Sequence, residues 1–212
     1  MGGREGRWPH LSQEARLREL DRLAPTTLPV LILGPTGSGK ELAARQLHQR
    51  SGRRGDLQAV NCLAFAEGLL ESELFGHVKG AFTGADRGRR GAIEAARNGS
   101  LFLDEVADLS PRLQSLLLRV IQEQEVRRVG SDRAVRVDVR FVAATHRPLE
   151  ELVTAGAFRR DLLFHLKGAV LHLPALAVRR HEFPFLLPKL TARAALGLQR
   201  PAPALAPGWR RP

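Results

Sequence analysis

Four apolar residues, Val30, Leu31, Ile32 and Leu33, run into Gly34, Pro35, Thr36, Gly37, Ser38, Gly39, Lys40 and Glu41, after which the periodicity over 42–50 turns helical. No other stretch limits the fold as tightly. It reads as strand, glycine-rich loop and helix, the pattern G-x-x-x-x-G-K of a phosphate loop. Glycines let such a loop turn its N–H groups inward, the helix N-terminus adds its dipole, and a lysine reaches the terminal phosphates. The expected ligand is a nucleoside triphosphate, held by these eight residues and Leu42. Glu41 stands where a Ser or Thr hydroxyl usually meets magnesium, so another group must hold most of the metal.

The remaining periodicity alternates strands with helices. Strands are expected over 57–61, 100–104, 140–145 and 169–173, and helices over 11–23, 68–75, 91–96, 111–123, 149–155 and 159–166. With the first strand this makes a five-stranded parallel sheet in a three-layer α/β sandwich. Ser110 before Pro111 is an N-cap signal. Residues 126–129 and 134–137 alternate apolar and charged side chains around Gly130, Ser131 and Asp132, a small hairpin inserted at the surface. Beyond Pro174, recurring prolines break any long helix, though 186–198 has room for a short one. Residues 1–10 and the last dozen are expected to be poorly ordered.

The strand over 100–104 ends in Asp104 and Glu105. In parallel sheets ligands sit at the carboxyl ends of the strands, which brings both acids to the phosphates. Asp104 is placed to hold Mg²⁺ and Glu105 to polarise an attacking water. Thr145 and His146 end the strand expected beside the phosphate loop, where they can sense the γ-phosphate. In isolation, paired acids after a strand are better explained by capping or solvation; combined with the phosphate loop earlier in the chain, the catalytic reading is the favoured one. Gly80, Ala81, Phe82, Thr83, Gly84 and Ala85 set two glycines around an aromatic residue; Phe82 is either an exposed partner contact or tucked into the core.

Composition excludes more than it assigns. One cysteine, Cys62, allows no internal disulfide and fits a reducing, cytoplasmic setting; as a nucleophile it is outranked by its role as a small buried hydrophobe. No segment approaches 18 uninterrupted apolar residues and the Arg-containing start has no apolar core, so neither a membrane span nor a signal peptide is read. The net charge of +11 suits a polyanion or a merely solvated surface equally well. No helix-turn-helix pattern is visible, and DNA contact is not expected from this chain alone.

Taken together, the loop 34–41, Asn61 with Cys62, Glu73, Leu74, Phe75 and Gly76 running into 80–85, and the stretches 100–105, 129–140, 143–145 and 158–163 resemble the central AAA+ domain of bacterial enhancer-binding proteins, which activate sigma-54 RNA polymerase. The Gly-Ala-Phe-Thr-Gly-Ala hexapeptide is the most specific of these. The resemblance spans about 11–190, with the ATPase domain bounded at 11–176 and 177–212 a truncated or divergent segment.

The resemblance implies ATP and Mg²⁺ as ligands, with Glu41 the usual residue at its position. It implies that Phe82 and Thr83 contact sigma-54 when ATP raises their loop, and that Asn61 holds Glu105 by a hydrogen bond that switches with nucleotide state. Arg159 becomes an arginine finger supplied to a neighbouring subunit of a ring, commonly a hexamer. His165 stands where the family has a second arginine and His146 where it often has asparagine, while 173–179 diverge from the usual segment. The chain stops before the helical lid. The function implied is ATP-driven activation of sigma-54 polymerase; the alternative is a truncated module that binds ATP and sigma-54 and hydrolyses little.

Overall fold

In the computed structural model, residues 13–201 and residue 203 are described. Five parallel strands form the central sheet: β1 (Val30–Leu33), β2 (Leu57–Asn61), β5 (Ser100–Asp104), β8 (Arg140–Thr145) and β9 (Ala169–His172). Their order in space is β2-β5-β8-β1-β9. The strand formed first in the chain is therefore next to central and pairs with the two formed last, Leu33 opposite Thr145 on one side and His172 on the other. All six residues of β8 are buried, as are the first four of β5. Both read as continuous apolar runs because both faces of the sheet are covered.

Alternation along the strands divides the core into two layers. Leu31, Leu101, Leu103, Phe141 and Ala143 face α3 (Glu67–Phe75), α4 (Ala92–Ala95), α5 (Pro111–Glu123) and α7 (Arg160–Leu166). Val30, Ile32, Phe102, Val142 and Ala144 face α1 (Gln13–Leu23) and α2 (Lys40–Gln49). Helix α5 begins where its sequence says it should: Ser110 Oγ accepts the Leu113 N–H, and Pro111 occupies the first turn. The short α6 (Leu149–Thr154) leads from β8 toward α7.

Two antiparallel ribbons leave this sandwich. The first pairs β3 (Gly76–His77) with β4 (Arg89–Arg90) and carries residues 80–85. The second pairs β6 (Glu125–Arg127) with β7 (Ala134–Arg136), the expected hairpin. They are stitched together where Val78 N–H donates to Val129 O and Val129 N–H to Gly76 O. At the base of the first ribbon the chains cross so closely that a Cβ on Gly91 would lie 2.3 Å from Gly76 N and 2.4 Å from Leu74 O.

Strand boundaries of the five-stranded sheet agree with the sequence within one residue, whereas β6 ends two residues before the expected 129 and the two-residue β3 and β4 were not expected. One helix also differs: α8 (Phe183–Gly197) is 15 residues long and accommodates Pro188, where the prolines argued for a short helix from 186. Pro184 falls in its first turn, and Pro188, in the second, removes one bond of the backbone ladder. The disorder expected of 1–10 and of the final dozen concerns residues that lie largely outside the described ones.

Candidate nucleotide site and partner loop

The phosphate loop sits at the carboxyl end of β1, fixed by a Gly34 N–H bond to Thr145 O (3.2 Å) and a turn from Ser38 N–H to Pro35 O (3.1 Å). Gly39 caps α2 at φ 92°, a left-handed backbone that suits glycine and leaves the first N–H groups of the helix facing the loop. Pro35, Thr36, Gly37 and Gly39 are exposed, whereas Ser38 and Lys40 are buried. Glu41 turns outward to Arg45 at 2.6 Å, and Leu42 is half exposed on the first turn of the helix.

Buried Lys40 links this loop to the acids. Its Nζ donates to Gly34 O (3.2 Å) and pairs with Glu105 Oε1 (3.2 Å). The other oxygen of Glu105 accepts from His146 Nδ1 (2.8 Å), His146 N–H (3.3 Å) and Thr145 Oγ1 (3.3 Å). Burial works against the Glu105 carboxylate, but His146 and Lys40 outweigh it and hold the group below the ordinary glutamate range. Asp104 goes the other way: burial raises it more than Lys40 lowers it, and Glu105 raises it further. The backbone of Glu105 is itself left-handed, at φ 53° and ψ 50°, a sparsely populated state for glutamate. Asp108 just beyond ties the same turn to Arg147 at 2.7 Å.

These residues fit a magnesium nucleotide. Ser38 Oγ is buried in the loop without a hydrogen-bond partner, Lys40 offers a cation, and Asp104 keeps carboxylate oxygen available beside it. A cavity of about 1050 Å³ opens directly from Gly34, Pro35 and Thr36 past Thr145 and His146 to Pro174. The segment beyond Pro174 carries a residue to which sequence reasoning gave no role. Arg179, buried, donates from Nη2 to Ser38 O at 2.6 Å and pairs with Glu182 at 3.2 Å, so the segment after β9 is pinned on the phosphate loop. The divergence of 173–179 hid it, since the contact spans 141 residues of sequence.

Asn61 departs from expectation. Its amide oxygen accepts the Leu63 N–H at 2.9 Å, and it shares no hydrogen bond with Glu105. The reason is sheet order: Asn61 ends β2, on one side of β5, whereas the Glu105 carboxylate is drawn to Lys40 and β8 on the other. Arg159 caps α7, with its guanidinium on Asp161 (2.7 Å) and Ser115 Oγ (3.1 Å) and its N–H on the Gln114 side chain (2.8 Å). None of these partners belongs to the phosphate loop. His165 meets Gln122 at 3.1 Å. Cys62 is buried, and burial, with Asp104 next, pushes its thiol up to about 12.

Residues 80–85 form a closed turn, Gly80 N–H to Ala85 O (2.9 Å) and Ala85 N–H to Phe82 O (3.0 Å). Thr83 and Gly84 are exposed at its tip. Phe82 is 45% exposed, with one edge against the His77 ring at a centroid distance of 5.0 Å. Ala85 departs from the expected exposed surface: it is 5% exposed and anchors the turn, because a methyl group fills the space under the ribbon. His77 Nε2 donates to Arg87 O (2.9 Å), so its Nδ1 accepts from Ser72 Oγ (2.7 Å). Among the described residues no helix is long and apolar enough to cross a membrane.

Comparison with known proteins agrees with this geometry. Residues 10–172 match the model of the sigma-54 interaction domain. The transcriptional regulatory protein ZraR of Salmonella typhimurium is 52% identical over 180 residues, covering 84% of this chain and 41% of the relative. The Nif-specific regulatory protein of Herbaspirillum seropedicae is 45% identical over 190 residues, covering 89% and 35%. The chain thus spans about two-fifths of such relatives. Among solved structures, NtrX from Brucella abortus in complex with ATP superposes with a TM-score of 0.82 at 35% identity, covering 94% of this chain and 43% of that one. With its phosphate loop, its acids after β5 and its hexapeptide ribbon all in place, the chain belongs to the sigma-54 interaction domain family, and its fold is that of a P-loop NTPase.

Proposed function

We propose that this chain hydrolyses ATP as a ring subunit and uses residues 80–85 to remodel sigma-54 polymerase. The observation that carries the reading is the Lys40–Glu105 pair: the phosphate-binding cation and the water-activating carboxylate are held on each other, within one buried cluster. A triphosphate draws Lys40 toward its β- and γ-oxygens and so releases one oxygen of Glu105. Thr145 and His146 keep the other in place. Glu105 then orients a water and takes its proton, while Arg159 of a neighbouring subunit meets the charge that develops on the γ-phosphate. Asp104 is the residue to hold Mg²⁺, which supplies charge neutralisation between the phosphates. Support for nucleotide binding comes from the relative solved with ATP; support for the partner comes from the family match.

Because the finger acts in trans, ATPase activity per subunit is expected to rise with protein concentration; a flat profile would overturn the ring. Thr83→Ala is expected to spare hydrolysis and abolish nucleotide-dependent binding of sigma-54, and retained binding would remove the role given to the loop. A second reading is favoured by the same cluster. With the Glu105 carboxylate already engaged by Lys40, His146 and Thr145, the chain binds ATP and sigma-54 but turns over little. Turnover at the Glu105→Gln background with intact nucleotide binding would select it.

A further inference from the structure

Gln114 lies on α5, outside the cluster just described, yet it joins two parts of the site that are far apart in sequence. Its side chain is fully buried. Nε2 donates to Leu109 O (2.8 Å) and to Ala157 O (3.0 Å), and Oε1 accepts the Arg159 N–H (2.8 Å). Leu109 closes the turn that starts at Glu105, through Asp108 N–H to Glu105 O and Leu109 N–H to Val106 O. Ala157 and Arg159 lead into α7. The neighbouring residue, Ser115, holds the other end of Arg159, its Oγ accepting from Nη1 at 3.1 Å.

A buried amide used in this way is directional. Its two N–H groups and its oxygen cannot exchange places without leaving two carbonyls and an N–H buried and unpaired. The backbone at 159 therefore follows the turn after Glu105, rather than the loop 155–158 alone. No packing requirement explains a glutamine here: Leu113, Leu117 and Leu118 line the same buried face of the helix.

We propose that Gln114 is a positioning residue, setting where one subunit presents Arg159 to the nucleotide of the next according to the state of its own Glu105 turn. The proposal rests on Arg159 acting in trans. It assigns no contact between Gln114 and the reacting atoms. Misplacing a catalytic group by about 1 Å costs on the order of a hundredfold in rate, so loss of Gln114 is expected to lower kcat with little change in KM for ATP.

The test is subunit mixing, with ATPase as the readout. Gln114→Met and Gln114→Glu are prepared separately, the second keeping the chain length should the first fail to fold. Each is mixed with Glu105→Gln, which loses the carboxylate of its own site but keeps both Gln114 and Arg159. Arg159→Ala mixed with Glu105→Gln is the reference. Gln114 variants alone are expected to lose about tenfold or more in kcat, and mixtures to recover activity well above the dilution line, as the Arg159→Ala mixture does. Recovery by Arg159→Ala but not by either Gln114 variant would overturn the proposal, because the damage would then lie in the variant's own site. So would turnover by the Gln114 variants alone that matches the unaltered protein. Recovery by neither mixture would overturn the trans finger itself, and the proposal with it.

Discussion

Arg140 is a buried cation that joins three stretches of chain within the sandwich. It is 1% exposed, and its guanidinium faces carbonyls rather than a carboxylate: Ala24 O (2.7 Å), Leu23 O (2.8 Å) and Leu28 O (3.2 Å). Burial, and secondarily Arg53, depress its basicity. These bonds close the end of α1 and fasten the approach to β1 onto the start of β8. Replacing it by methionine relieves a buried charge but orphans three carbonyls at about 1–3 kcal/mol each. Arg140→Met is therefore expected to cost about 2–4 kcal/mol in urea unfolding, with amide exchange quickening first in α1; an unchanged midpoint would refute this account. Residue placement was legible in sequence where the signal is local, as with Lys40 at the start of α2, Asp104 at the end of β5 and the Ser110 cap. They were illegible where a long-range contact decides. Asn61 and Glu105 stand at the ends of neighbouring strands, yet Lys40 wins the carboxylate. Arg179 reaches Ser38 across a divergent segment. Gln114 did leave a trace, a polar residue on the leucine face of α5.

Among the elements, the ribbon β3–β4 is the one to which the proposed function gives the partner contact. Its tip is exposed, its root is stitched to β6–β7, and its two chains pass each other at Gly76 and Gly91 with no room for a side chain. Gly91→Ala must push the chains apart or move the end of α3. The expected result is ATP binding within a few-fold of the unaltered protein, with sigma-54 binding lost, as measured by nucleotide titration and by co-elution. Retained sigma-54 binding would show that the crossing does not govern the loop. The strands and helices of the sandwich were readable because hydrophobic period and cap residues agree, in α5 most of all. Helix α8 was misjudged for a physical reason: Pro184 falls in the first turn, where the N–H it lacks has no partner to lose, and the interior Pro188 costs one ladder bond without ending the helix. Exposure of Phe82 lay beyond periodicity alone, since the deciding neighbour is a histidine at the ribbon's root.

At the scale of the whole molecule, titration makes stability depend on pH. His48, bonded to Ser100 Oγ at 3.0 Å, and His172 are both lowered from 6.5, in each case chiefly by burial. Lowered histidines bind fewer protons folded than unfolded, so their contribution is complete above 6.5 and is lost as pH falls through that value toward the folded ones. Glu105, also lowered, adds a loss below 4.5, whereas Asp104, raised from 3.8, has the opposite sign. The melting temperature is expected to fall between pH 7.5 and 5.5, and His48→Gln to shallow that fall, in thermal scans; a melting temperature constant over that range would contradict it. Strand order carries a different consequence, for synthesis. The apolar β1 leaves the ribosome early, but both of its neighbours, β8 and β9, are translated more than a hundred residues later. At about 5–20 residues per second, that strand waits roughly five seconds or more without a partner. A nascent chain of this design is expected to engage chaperones, and truncation before β8 is expected to give an aggregation-prone product rather than a smaller domain.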